Sequence, residues 1–173
     1  ILAGITTRRL EEEIAGRPAV VRVMPNTPAL VKRGMAAICR GTHVSKDELE
    51  KVRGLMSAVG KTIVVPEELM NAVTAISGSG PAYIFRFTEL LAEAGRDLGL
   101  SKDQADLLAA ETVIGAGMML KESGDPPGRL RRKVTSPGGT TEAALQVFKS
   151  GNLKDLVVGA ARAAARRGEE LGG

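Results

Sequence analysis

Between positions 107 and 120 this chain carries a single charged residue, Glu111. Ser101 and Gln104 stand in capping-box spacing just ahead of that segment, which continues to about Ser123, so the pattern predicts one long helix. A helix that is apolar on nearly every face belongs inside something, not on a surface. The core around it must be aliphatic, because Tyr83, Phe85, Phe87 and Phe148 are the only aromatic residues among 173. That length allows one large or two small domains, burying roughly 70% of the unfolded surface. It leaves too little chain to surround such a helix in a monomer. Ala109, Ala110, Gly115, Ala116 and Gly117 are small enough for another helix to come close. Two arrangements meet the demand: a helical homodimer centred on this helix, or burial within a larger monomer.

The pattern changes along the chain. Residues 7–15 predict a helix stopped by Gly16, and residues 19–24 a short β-branched strand. A turn at positions 25–28 and a strand at 35–40 follow. Ser45 and Glu48 form a capping box for a helix running to Val59, and residues 61–65 predict the next strand. Strand, helix, strand in this order is half of an α/β sheet. After Pro66 strand signals cease and helices follow one another. They cover about 70–76, 81–98 (capped by Ser79, with Pro81 as its first residue), 102–123, 127–134, 141–149 and 153–171. The expected division is therefore 1–65 and 66–173.

The stretch from 134 to 141 (Val-Thr-Ser-Pro-Gly-Gly-Thr-Thr) leads straight into a helical pattern. The first N–H groups of a helix lack internal partners, and the helix dipole adds positive potential there. Glycine lets a ligand approach the backbone. N–H groups from Gly138 to Thr141, with the hydroxyls of Thr140 and Thr141, suit a carboxylate or phosphate. The same residues also read as an ordinary Pro-Gly turn with Thr141 as the helix cap. Arg129, Arg131, Arg132 and Lys133 stand just before this stretch. They read as a solvated helix face individually and as a positive field for an anion as a group.

Several function classes fall away. Net charge is +4 with basic and acidic residues interspersed, and four aromatics offer few stacking platforms, so no nucleic-acid partner is expected. No 18-residue apolar segment or signal-peptide pattern occurs, so no membrane partner is expected. Cys39 is the only cysteine, in an apolar run, and reads as a buried strand residue of a protein in a reducing, cytoplasmic compartment. His43, the only histidine, reads as a surface turn residue. With so few ligands, no metal site is expected.

Four segments together resemble the pyrroline-5-carboxylate reductase family. They are 21–30 (VRVMPNTPAL), 72–83 (AVTAISGSGPAY), the helix around 112–119, and 130–149 (LRRKVTSPGGTTEAALQVFK). They occur in the family's order across almost the whole chain. No GxGxxG fingerprint follows a strand, and residues 1–5 (ILAGI) resemble a later segment of the family's cofactor domain. The resemblance thus implies the C-terminal portion of a Rossmann domain at 1–65. A helical dimerisation and substrate-binding domain would occupy 66–173, with the earlier cofactor-binding half absent.

The resemblance also implies a chemistry. The family uses NADP(H) or NAD(H) to reduce 1-pyrroline-5-carboxylate to L-proline. By resemblance, Ser136, Gly138, Gly139, Thr140 and Thr141 would bind the substrate, with the Thr141 hydroxyl beside the ring nitrogen as the catalytic group. Ala3, Gly4, Met24, Pro25, Asn26, Ser77 and Gly78 would contact the cofactor. Self-association would run through the helices of 81–123 and 141–171, giving a homodimer or a ring of dimers. Two other readings remain. A β-hydroxyacid-type dehydrogenase normally has a lysine on the interdomain helix, but residues 81–98 contain only Arg86 and Arg96. A non-catalytic dimerisation or anion-binding module would need no cofactor.

Overall fold

The computed structural model describes residues 3–172. The described chain forms two compact units. One comprises Ile1–Ala82 with Val158–Gly173, and the other Tyr83–Val157.

The first unit holds a three-stranded sheet in the order β1 (Val21–Met24), β2 (Gly34–Arg40), β3 (Gly60–Val64). β2 and β3 run parallel and are joined by α2 (Lys46–Ser57), which makes a strand-helix-strand unit. β1 runs antiparallel to β2, so the sheet is mixed. Both hydrogen bonds of the expected capping box at α2 are in place: the Ser45 hydroxyl accepts from the Glu48 N–H at 3.2 Å, and Glu48 accepts from the Ser45 N–H at 2.8 Å. Helix α1 (Thr7–Glu13) ends at Ile14, before the expected Gly16, because Ile14 turns extended.

β2 is the centre of this unit. Met24, Ala37, Cys39 and Met70 form a buried cluster, against which Ala3, Val65 and Val73 pack. Cys39 lies in β2 as expected, 1% exposed. Burial is the main cause that pushes its thiol up to about 11, helped by the carboxylate of Glu67. A buried, protonated thiol is a poor nucleophile. We expect thiol reagents to label Cys39 only as fast as the protein opens; native-state labelling at the rate of a free thiol would contradict this. His43 is exposed in a turn.

A buried ion pair ties β1 to the chain after β3. The Arg22 side chain is 8% exposed and its Nη1 lies 3.3 Å from Glu67 Oε1. Glu67 also accepts from the Thr7 N–H at 2.7 Å and the Thr7 hydroxyl at 2.6 Å. Burial alone would raise the Glu67 carboxyl. The hydrogen bonds from Thr7 and Arg22 and the Arg22 charge outweigh it and hold the group below the usual carboxylate value of 4.5.

Residues 67–82 do not form the simple helix expected over 70–76. A 3-10 turn (Glu67–Leu69) and one turn of helix, α3 (Met70–Val73), lead into a π-helical turn at Thr74–Gly78. Ser79 is helical in backbone (φ −83°, ψ −21°), not the extended cap expected, and it joins the π turn directly to α4 (Gly80–Asp97).

In the second unit, α4 packs against α5 (Lys102–Glu122) through Ala92, Ala105 and Ala109. The capping box of Ser101 and Gln104 is formed. Arg96 on α4 reaches Asp106 on α5 at 3.1 Å. Helices α6 (Pro127–Lys133) and α7 (Thr140–Ser150) follow, and the chain then enters α8 (Leu153–Gly172), which belongs to the first unit from Val158 onward. Phe87 and Phe148 join α4 to α7, their rings tilted by 56° with centroids 6.4 Å apart, a favourable aromatic arrangement. Of α5, only Ala105 and Ala109 are buried. Leu107 is 63% exposed, and Ile114 and Met118 are each 54% exposed. Within one chain the apolar helix is uncovered. Among the described residues no helix is long and apolar enough to cross a membrane.

Candidate active site

The expected site residues fall into two groups, one in each compact unit. In the first unit, Ala3, Met24, Pro25, Asn26 and Gly78 line one open groove of about 510 Å³. The groove lies at the end of β1, the position where loops of an open α/β sheet meet ligands. Its wall is mostly apolar, with Ala29, Leu30 and Met56 completing it and Thr27 and Thr74 adding hydroxyls. An ideal Cβ on Gly78 would lie 3.5 Å from Thr74 Cγ2 and 3.6 Å from the Met24 sulfur, so Gly78 packs beside both in the groove wall.

Three of the expected cofactor residues have other neighbours. The Asn26 amide is engaged at both ends: Nδ2 donates to the Ser77 carbonyl at 3.1 Å, and Oδ1 accepts from the Met35 N–H at 2.8 Å. Ser77 stands behind the lip, tied to Asn26, while Gly78 faces the groove. Gly4 is buried with φ +83°, and a Cβ there would sit 2.5 Å from the Gly172 nitrogen and 2.7 Å from the Gly168 oxygen. Its lack of a side chain is therefore required by close packing on the end of α8. Ile1 and Leu2, which open the same segment, lie outside the described residues.

In the second unit, residues 134–141 form the turn before α7. Gly139 is the extended N-cap, so the cap expected at Thr141 is not formed; Thr140 is the first helical residue and Thr141 the second. Gly138 adopts φ +70°, a left-handed conformation that glycine accepts without penalty. Two of the expected donors are used internally. The Gly139 N–H donates to the Ser136 carbonyl at 3.0 Å, and the Gly138 N–H to the Glu142 carboxylate at 2.8 Å. The N–H groups of Thr140 and Thr141 and the Thr141 hydroxyl have no acceptor among the described residues. The Thr140 hydroxyl is likewise unpartnered among the described residues, so an anion at this turn would meet two backbone donors and two threonine hydroxyls, at the positive end of an eleven-residue helix.

The basic cluster before this turn is partly neutralised. Asp125 holds Lys133 at 2.6 Å and Arg129 at 3.3 Å. Arg131 and Arg132 have no ion-pair partner among the described residues. On α4, Arg86 is paired with Glu89 at 3.0 Å and Arg96 with Asp106 at 3.1 Å. Neither offers the proton that a lysine would supply to a developing alkoxide.

The family model for pyrroline-5-carboxylate reductase dimerisation matches residues 67–171. The chain belongs to the pyrroline-5-carboxylate reductase family. Pyrroline-5-carboxylate reductases of Synechocystis sp. and Corynebacterium melassecola are 44% and 46% identical to it, over 99% and 98% of its length. It spans 64% and 63% of the length of those two relatives. Among solved structures, a pyrroline-5-carboxylate reductase from Coxiella burnetii superposes with a TM-score of 0.93 at 43% identity, over 99% of this chain and 64% of that one. A Plasmodium falciparum pyrroline carboxylate reductase with NADP bound gives 0.90 at 33% identity, over 99% and 68%.

Thr27 and Thr74 line the groove from within the 21–30 and 72–83 segments, whereas Met56 lines it without any local signal in the sequence, because it reads as ordinary helix filler. The role of Glu142 is equally hidden, although a carboxylate at the third helical position is a known partner for N–H groups ahead of the helix. The Arg22–Glu67 pair joins positions far apart in sequence, and no local pattern announces it.

Proposed function

We propose that this chain is the substrate-side and self-association part of an enzyme reducing 1-pyrroline-5-carboxylate to L-proline with NADP(H) or NAD(H). The observation that carries the reading is the turn before α7, which leaves the Thr140 and Thr141 N–H groups and the Thr141 hydroxyl free for a small carboxylate-bearing ligand. Family membership names the substrate class. The two N–H groups would hold the substrate carboxylate, and the Thr141 hydroxyl would hydrogen-bond the ring nitrogen before and after reduction. An imine that binds already protonated needs no acid from the protein. The cofactor, when bound, supplies a hydride to the C=N carbon. Met24, Pro25, Ala29, Thr74 and Gly78 offer a mostly apolar wall that would suit a nicotinamide ring. On this reading residues 1–65 belong to the cofactor domain and 66–173 to the dimerisation and substrate domain. The test is NADPH or NADH oxidation by the full gene product on addition of pyrroline-5-carboxylate. Turnover supports the reading. A folded product inactive with both cofactors overturns it and favours a non-catalytic binding module.

The uncovered apolar faces of α5 support self-association, as a dimer or a ring of dimers. We expect sedimentation at about micromolar concentration to give a dimer or larger. Ile114→Glu, which sets a charge in that face, is expected to give monomer or aggregate. A native monomer, or an unchanged assembly in Ile114→Glu, would remove this part of the proposal.

A further inference from the structure

The groove lip contains a backbone problem created by Pro81. In a regular helix the carbonyl of residue 77 would accept from the N–H of residue 81. Proline has no N–H. The next N–H, that of Ala82, is committed to the Ser79 carbonyl at 3.0 Å. Ser77 is thus left with an acceptor that no helical donor serves. A buried or half-buried carbonyl in that position must find a partner elsewhere. Asn26 provides it: Nδ2 reaches the Ser77 oxygen at 3.1 Å and Ser77 Oγ at 3.4 Å, while Oδ1 is held by the Met35 N–H at 2.8 Å. One amide thereby fastens the loop after β1, the start of β2 and the turn before α4.

That turn is π-helical, with the Ser79 N–H bonded five residues back to the Thr74 carbonyl at 2.8 Å. A π turn carries one residue more than an α-helical turn, and such turns occur often at functional sites. Here the extra residue lies where Gly78 packs beside Met24 in the groove wall. We propose that Asn26 is a positioning residue: its amide replaces the N–H that Pro81 lacks, and so holds Ser77 and Gly78 in the π turn that shapes the cofactor groove. The hydrogen bonds alone carry the structural half of this assignment, and the cofactor half rests on the functional reading above.

Three variants of the full gene product test it: Asn26→Ala, Asn26→Asp, and Asn26→Ala combined with Pro81→Ala. Asn26→Asp keeps the acceptor for Met35, removes the donor to Ser77 and sets a carboxylate oxygen against that carbonyl, so it tests the same contact without the cavity of the alanine variant. Amide exchange of Ser79 and Ala82 is expected to quicken about tenfold in both single variants, the ratio supplied by one neutral hydrogen bond. NADPH dissociation constants, read by fluorescence titration, are expected to rise by about the same factor. In the double variant, residue 81 regains an N–H for the Ser77 carbonyl. Exchange should return toward native, while NADPH stays weakly bound because an α-turn has replaced the π turn. Exchange within about twofold of native in both single variants overturns the proposal. Quickened exchange with NADPH affinity unchanged leaves Asn26 merely structural and overturns its positioning role. A native protein that binds neither NADPH nor NADH sinks the cofactor reading. The exchange and its rescue then still decide whether Asn26 stands in for the missing donor.

Discussion

Replacing Thr141 by alanine is expected to lower reductase turnover by about 10²–10³-fold, the usual loss when one positioned donor to a transition state is removed. The fold should hardly notice. Gly139, not Thr141, is the N-cap of α7, and the Thr141 hydroxyl makes no hydrogen bond among the described residues. The melting temperature of Thr141→Ala should therefore stay within a few degrees of native, about the shift of a surface substitution. Thr141→Ser keeps the hydroxyl and should retain most of the rate. Steady-state kinetics of the full gene product decide the matter. A native rate in Thr141→Ala takes the residue out of the mechanism, and an equal loss in the serine variant shifts the cause from the hydroxyl to packing.

The second large effect concerns folding. Glu67→Ala leaves the Arg22 guanidinium, 8% exposed, without its carboxylate. Breaking a fully buried pair in this way costs about 3–5 kcal/mol. Glu67 itself is 27% exposed, so the lower end, about 3 kcal/mol, is expected here. The pH dependence has a definite sign. The folded state holds the Glu67 carboxyl below its ordinary value of 4.5. Its contribution is therefore complete above that value and is lost as pH falls through the lower folded one. Urea unfolding at neutral and at acid pH checks both parts. The difference between native and Glu67→Gln should be large at neutral pH and shrink in acid. A gap that grows in acid would refute the assignment. Arg22 Nε and Nη2 have no hydrogen-bond partner in the described structure, so Glu67 is the one counter-charge in contact with this guanidinium.

Much of the architecture is legible in the residues. The two capping boxes, Ser45 with Glu48 and Ser101 with Gln104, are local devices, and both form as read. The strands fall within two residues of their expected limits, since short β-branched runs between turn residues leave little choice of register. The apolar segment around Glu111 is readable for the same reason: its pattern needs no partner to be recognised. The turn at 134–141 is readable as a helix entrance rich in N–H and hydroxyl groups. Which N–H groups stay free there is not readable, because Glu142 and the Ser136 carbonyl remove two of them from the set. Local pattern assigns capability to a loop; competition inside the loop decides what is left over.

Other features depend on residues that meet only in three dimensions. Ser79 reads as a helix cap because Gly80 and Pro81 follow it. The chain stays helical there because the Asn26 amide, from 51 positions earlier than Ser77, supplies the donor that proline withholds. Gly4 reads as part of a ligand loop. Its small size is required by the end of α8, which no nearby residue predicts. Spacing and residue type were enough to settle most of the elements, two of the caps, the family and which hydrogen-bonding groups the turn before α7 carries. Which of those groups remain free was settled by the folded chain, because a hydrogen-bonding atom can be spent once, and its partner can come from anywhere along the sequence.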